Sequence, residues 1–186
     1  MLPTEVRLSL PPWIGAVADA DRRYTTDEAR MALAVALARA NVERGDGGPF
    51  GAAVFDHRDG RLVAVGVNRV VPQHCSLAHA EAMALMLAQQ HLGRHRLNDD
   101  GRHYVLATSA QPCCQCYGAS VWAGIDTLLI GARTADVESL TDFDEGPLPA
   151  DWTGELARRG IAVRRDILRD AARDVLAAYG RHGPSY

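Results

Sequence analysis

Two short stretches constrain this chain more than any other feature: His79-Ala80-Glu81, and further along Pro112-Cys113-Cys114-Gln115-Cys116. Zinc takes about four nitrogen or sulfur ligands, and a catalytic site leaves one position for water. His79, Cys113 and Cys116 supply three. The two cysteines lie three apart, so on a helical turn they share a face. If Cys113 opens that helix, the free N–H groups and the positive dipole end favour the thiolate that metal binding requires. His79 and Glu81 are two apart and would diverge in a helix body. Both reach one cavity only if the motif straddles a helix N-terminus. Glu81 then sits beside the metal without ligating it, placed to take a proton from a metal-polarised water that attacks an amino-bearing carbon. A fold using both stretches must therefore bring two helix starts together.

The bland readings fail on the combination. A lone His before a buried helix is usually structural, and a lone CxxC is often a redox or structural half-site. A four-cysteine site is disfavoured because Cys75 is the sole distant thiol. A thioredoxin-like CxxC has no use for His-Ala-Glu upstream. Cys75 and Cys114 read as packed free thiols.

The rest of the chain supplies a frame for such a site. Residues 1–24 read as an irregular leader, with Pro11-Pro12-Trp13 blocking early helix and Trp13 covering apolar surface. Residues 25–186 form the working domain. Thr25 followed by Glu28 is a capping-box pattern, and a buried helix is expected over 27–44, stopped by Gly45-Asp46-Gly47-Gly48-Pro49. Strands over 50–56 and 62–67 flank His57-Arg58-Asp59-Gly60 as a hairpin. Helices over 79–91 and 113–123 alternate with strands over 103–108 and 127–131. Residues 133–151 read as irregular. Helices over 152–159 and 166–179 flank a strand near 161–165. A hairpin followed by helix–strand units predicts an α/β fold, a three-layer α/β/α sandwich around a mixed sheet.

Composition excludes other chemistries. All 20 basic residues are Arg, so a P-loop lysine and a pyridoxal Schiff-base lysine are both impossible. The formal net charge is -3, which gives no global basic field for nucleic acid or anionic membrane. No stretch approaches a membrane span, and Met1 to Ala20 lacks a signal-peptide pattern. These features, with clustered unpaired cysteines, predict a reducing, cytoplasmic location.

The His-x-Glu and Pro-Cys-x-x-Cys pair is the known signature of zinc nucleobase deaminases, and the chain resembles the cytidine deaminase-like superfamily, in particular small bacterial guanine deaminases. The resemblance covers roughly Thr26 to Tyr179. It rests on Gly48-Pro49-Phe50-Gly51-Ala52, Asn68-Arg69-Val70, the two motifs above, and Phe143-Asp144-Glu145-Gly146-Pro147. The first four recur among purine and pyrimidine base deaminases and tRNA adenosine deaminases. The last is more particular to a guanine deaminase subgroup that also accepts ammeline. The resemblance implies a five-stranded sheet, one zinc per chain, and a homodimer with C-terminal residues closing over a small nucleobase. It implies that Asn68 hydrogen-bonds the base, that Phe50 and Phe143 pack on its faces, and that Glu145 assists proton transfer. Ala80 and Trp122 complete the candidate substrate-binding set, although Phe50 and Trp122 would also suit a plain core and Asn68 a turn. Gln111 stands where the relatives usually carry Glu, keeping the size and losing the charge. That bears on substrate rather than metal, because Gln111 is not a proposed ligand.

Guanine deamination to xanthine and ammonia is the expected reaction. A tRNA adenosine deaminase would share the metal site but need a basic surface, whereas here Arg alternates with acids, as in Arg164-Arg165-Asp166. Cytosine and triazines stay open as substrates. A non-catalytic zinc-binding module would have no use for Glu81.

Overall fold

A computed structural model of the chain describes residues 1–181 and Gly183. Its elements are α1 (Ile14–Val17), α2 (Asp27–Glu43), β1 (Gly51–Asp56), β2 (Leu62–Val67), α3 (Ala80–Leu92), a 3-10 turn (Leu97–Asp100), β3 (Tyr104–Ala110), α4 (Cys114–Ala123), β4 (Thr127–Ala132), α5 (Thr134–Leu140), α6 (Trp152–Ala157), β5 (Ala162–Arg164) and α7 (Arg169–Gly180). The five strands make one mixed sheet in the order β2-β1-β3-β4-β5. β1 pairs antiparallel with both β2 and β3, while β3, β4 and β5 run parallel. The parallel pairs need crossovers, which α4 and α6 supply.

Period-two alternation divides the strand side chains between two apolar layers. Ala53, Phe55, Val105, Ala107 and Leu129 pack with residues of α2, α5 and α7 on one face. Ala52, Val54, Leu106, Leu128 and Ile130 pack with α3, the end of α4 and α6 on the other. This is the expected three-layer sandwich. Each fully buried Leu, Ile or Phe contributes on the order of 1.5–3 kcal/mol through apolar burial. Close helix approach depends on Gly66 in β2, where a Cβ would lie 2.0 Å from the Ala80 carbonyl oxygen. Any side chain there would push the start of α3 off the sheet.

Three expectations need correction. The N-cap of α2 is Thr26 rather than Thr25: its side chain accepts from the Ala29 N–H at 3.1 Å, one residue later than the capping-box pattern predicts. Residues 133–151 are not wholly irregular, because α5 occupies Thr134–Leu140. Its seven residues are too few for a clear apolar period, and its start is fixed by a tertiary cluster instead. The leader is not wholly irregular, because α1 occupies Ile14–Val17; Trp13 covers apolar surface as expected, packing on the α2 layer with its indole N–H donating to Asp46. The C-terminal residues expected to close over the substrate include His182 and residues 184–186, which lie outside the described residues.

The cluster at α5 centres on Asp136, only 2% exposed. Its carboxylate accepts the Arg133 backbone N–H at 2.8 Å, both prongs of Arg169 at 2.7 and 2.8 Å, and a donor from Arg173. The Arg169 hydrogen bonds hold the carboxyl far below its ordinary range. A depressed carboxyl pKa contributes stability above the unfolded value of about 3.9, and that contribution is lost as pH falls toward the folded value. Asp136→Asn keeps the shape and removes the charge. Urea unfolding at pH 7 should show a loss on the order of 2–3 kcal/mol, and the gap between variant and wild type should narrow below about pH 4.

Candidate active site

The cavity forms where α3 and α4 begin. His79 caps α3 with φ -70° and ψ 157°, and Cys113 caps α4 with φ -65° and ψ 175°. Both residues are extended, with their carbonyls already accepting the first helical hydrogen bonds, from Met83 and Tyr117 at 2.9 and 2.8 Å. Extended capping geometry is what lets His79 and Glu81 face one space, as their spacing requires. The chain reaches Cys113 from the end of β3, where the Gln111 N–H donates to the Ala132 carbonyl at 2.8 Å and Pro112 follows.

His79 Nδ1 lies 3.4 Å from Cys113 Sγ and 3.6 Å from Cys116 Sγ. One donor atom from each of the three residues falls within 4.8 Å of the others. Nitrogen and sulfur bound to a single tetrahedral zinc at usual bond lengths stand roughly 3.5 Å apart, so the set fits that ion. Cys113 is held as a thiolate, its pKa lowered to about 4 by hydrogen bonding from Cys116 and His79 against the cost of burial. The Cys113 hydrogen bond and burial push Cys116 the other way, so the two sulfurs share one proton that a dication would displace. Cys114 is exposed and Cys75 half-buried, and neither joins the cluster.

Glu81 is buried beside this set. It accepts the Thr108 hydroxyl on Oε1 at 3.2 Å and the Cys116 thiol on Oε2 at 3.3 Å. Burial, then the Cys113 charge, raises its pKa. Thr108 points to α3 because alternation in β3 gives that face to even-numbered positions. That alternation is the signal by which the sequence could have revealed it.

Glu145 arrives from the irregular segment after α5. Its carbonyl accepts the Cys114 N–H at 3.0 Å and so joins the cap of α4. Gly146 makes the tight passage possible: its φ is +66°, and a Cβ would meet Cys114 Sγ at 2.7 Å. The Glu145 carboxyl is buried, and desolvation with the nearby Cys113 and Glu81 charges raises its pKa to about 8.

Phe50, Asn68, His79, Glu81, Cys113, Phe143 and Glu145 all line one cavity of about 190 Å³. Asn68 Oδ1 accepts backbone N–H groups of Gly48 and Val70 at 3.4 and 3.2 Å. Its acceptor is engaged, which leaves Nδ2 as a donor. Phe50 and Phe143 do not clamp two opposite faces as expected. Their rings touch at 5.4 Å with a 52° tilt, and Phe143 stacks on Tyr179 at 5.7 Å. Rings in contact leave no slot between them, so they form one wall.

Two expected residues are not among the lining side chains of this cavity. Ala80 packs in the α3 layer against the sheet. Trp122 is 78% exposed and lines a separate cleft with Tyr117, Val121 and Arg159. It follows Cys116 by six positions on α4, and the helix carries it round to solvent. The cavity also takes in Val70, Ser76, Gln111 and Asp144, of which Ser76 had no signal in sequence while Val70 and Asp144 fall inside matching stretches.

This geometry makes a metal test direct. The purified protein should hold about one zinc per chain. Cys113→Ala and Cys116→Ala should each lose nearly all of it by elemental analysis, while Cys114→Ser keeps it. Stoichiometric zinc in either alanine variant would refute the ligand set.

Residues 24–132 match the model of the cytidine and deoxycytidylate deaminase zinc-binding region. Guanine deaminase of Bacillus subtilis (strain 168) is 38% identical over 118 residues, 63% of this chain and 71% of that protein. A solved guanine deaminase structure from Nitrosomonas europaea superimposes with a TM-score of 0.91 at 45% identity, covering 97% of this chain and 99% of that one. A tRNA-specific adenosine deaminase of Agrobacterium fabrum is 35% identical over 151 residues, 77% of this chain and 95% of that protein. With its two signature motifs and five-stranded sheet, this chain belongs to the zinc-binding cytidine and deoxycytidylate deaminase family.

Proposed function

We propose that this protein hydrolyses guanine to xanthine and ammonia, with ammeline as a second substrate. The observation that carries the chemistry is a buried carboxyl, Glu81, beside a His79–Cys113–Cys116 donor set that opens on a small cavity. The choice of base rests on the guanine deaminase relatives, one of which matches nearly the whole chain. Zinc, when bound by His79, Cys113 and Cys116, supplies the Lewis acid that lowers the pKa of the attacking water.

The residues divide the proton traffic. Glu81 takes a proton from the attacking water and delivers it to the ring nitrogen beside C2. Glu145, protonated below about pH 8, gives a proton to the amine as ammonia departs. The hydroxyl proton of the collapsing tetrahedral centre returns to a carboxylate, so water ends as the new carbonyl oxygen and two transferred protons. The Asn68 Nδ2 donor orients the base, and the Phe50–Phe143 wall covers one face.

A tRNA substrate is the second reading, favoured by the tRNA deaminase relatives. The charge argues against it. The net charge is -3, and Arg102, Arg133, Arg158 and Arg164 are paired with Asp56, Asp166, Glu155 and Asp27. The cavity is also smaller than the usual drug-sized ligand site. The homodimer belongs to the same proposal, supported by exposed Leu77, Met86 and Trp122 around α3 and α4. No described helix is long and apolar enough to cross a membrane. A cytoplasmic location is supported by the free thiols.

Ammonia release from a panel of guanine, ammeline, cytosine, adenine and tRNA tests the substrate. Guanine should be turned over and tRNA left unchanged; inosine in tRNA with guanine untouched would favour the second reading. Glu81→Gln should keep zinc and lower kcat by about 10²–10⁴. In Glu145→Gln, kcat should drop at least tenfold with zinc retained. Because Glu145 acts as an acid, wild-type kcat should decline as pH rises through about 8, and the variant should lose that limb. An unchanged profile would leave both transfers to Glu81.

A further inference from the structure

Gln111 lines the cavity, is only 8% exposed, and has no task in the chemistry above. Its backbone N–H is used by Ala132, but among the described residues no group hydrogen-bonds its side chain. Nor does its amide count among the polar atoms sealed from all access without a partner. The carboxamide is therefore largely buried, without a protein partner, on a residue that lines the cavity. A buried amide left unpartnered carries a desolvation penalty that a ligand group of matching polarity removes.

The neighbouring groups define what that ligand group must be. Asn68 can offer only a donor, since two backbone N–H groups occupy its oxygen. A base that presents a ring N–H next to a carbonyl needs an acceptor and a donor side by side. Glu81 and Glu145 are engaged in proton transfer in the reading above. A carboxamide matches both groups. Resting on the guanine reading above, we propose that Gln111 is a specificity-determining substrate contact. Its Oε1 accepts the ring N–H and its Nε2 donates to the adjacent carbonyl, so the site selects bases that carry this lactam pair.

The test compares guanine with 2-aminopurine, which has the same reacting amine and no lactam. Gln111→Met removes both polar atoms at similar length. With zinc content and circular dichroism unchanged, kcat/KM for guanine should fall at least tenfold in Gln111→Met, mainly through KM. For 2-aminopurine the change should stay under threefold, read as Ki if that base is not turned over. Equal losses on both bases would make Gln111 a packing residue, and no loss would remove it from the substrate; either overturns the proposal. A second measurement needs no variant: the wild-type zinc enzyme should bind hypoxanthine, which has the lactam but no amine, at least tenfold more tightly than purine. Equal affinities would overturn the proposal even if the variant fails to fold. Failure of the guanine reading is distinct, since it would show as wild-type enzyme that releases no ammonia from guanine.

Discussion

The site depends on two helices beginning at the same point in space. His79 and Cys113 are both extended caps, so each projects its side chain forward from a helix that has not yet started. One turn later on α4, Cys116 looks back into the same gap. On α3 the first turn presents Glu81. Neither helix could be shifted by a residue without losing the set. Their positions are fixed by the sheet: β3 delivers Cys113 through Gln111 and Pro112, while Gly66 in β2 allows the first turn of α3 to approach the strand closely. The glutamate carbonyl at position 145 then closes the N-terminus of α4. A helix cap and the proposed proton donor thereby come from one residue, with its backbone serving the first role.

Burial gives these groups their chemical character. Glu81 and Glu145 sit near the Cys113 thiolate, and desolvation is the largest cause of the raised pKa of each. In open solvent both would be ionised at neutral pH and would be poor acids. Held in a cavity with other negative groups, both bind a proton more tightly than an exposed glutamate does, Glu145 up to about pH 8, the direction of shift that general acid–base chemistry near pH 7 uses. The Thr108 hydroxyl limits the freedom of Glu81 by bonding one oxygen, which leaves the other oxygen on the side of the sulfurs.

Much of this was legible in the sequence. The His-x-Glu and Cys-x-x-Cys spacings dictate helix starts, and buried strands with apolar helices dictate the sandwich. What escaped was set by long-range partners. α5 is seven residues long and is started by the Asp136 clasp rather than by any local pattern. The aromatic wall escaped because flat rings were expected to clamp a base on both faces, whereas Phe143 has two aromatic neighbours already in place. Trp122 stands six residues past Cys116 on α4, roughly 240° round the helix, and so faces away from the metal ligands. Large aromatics near a site invite a binding role, but only the direction of the side chain decides it.

The remote clasp and the cavity wall are connected through α7. Arg169 and Arg173 anchor the first turns of that helix to Asp136, and Tyr179 near its end stacks on Phe143. Phe143 in turn meets Phe50, whose carbonyl accepts the Asn68 N–H at 3.1 Å. An ionic cluster distant from the metal ligands therefore determines where the C-terminal helix lies, and the helix determines where the wall stands. The wall residues come from three separate parts of the chain, and none could hold its ring in place alone. The Glu81 and Glu145 carboxyls are placed by the starts of α3 and α4 and the aromatic wall by α7, so the two sides of the cavity rest on different supports.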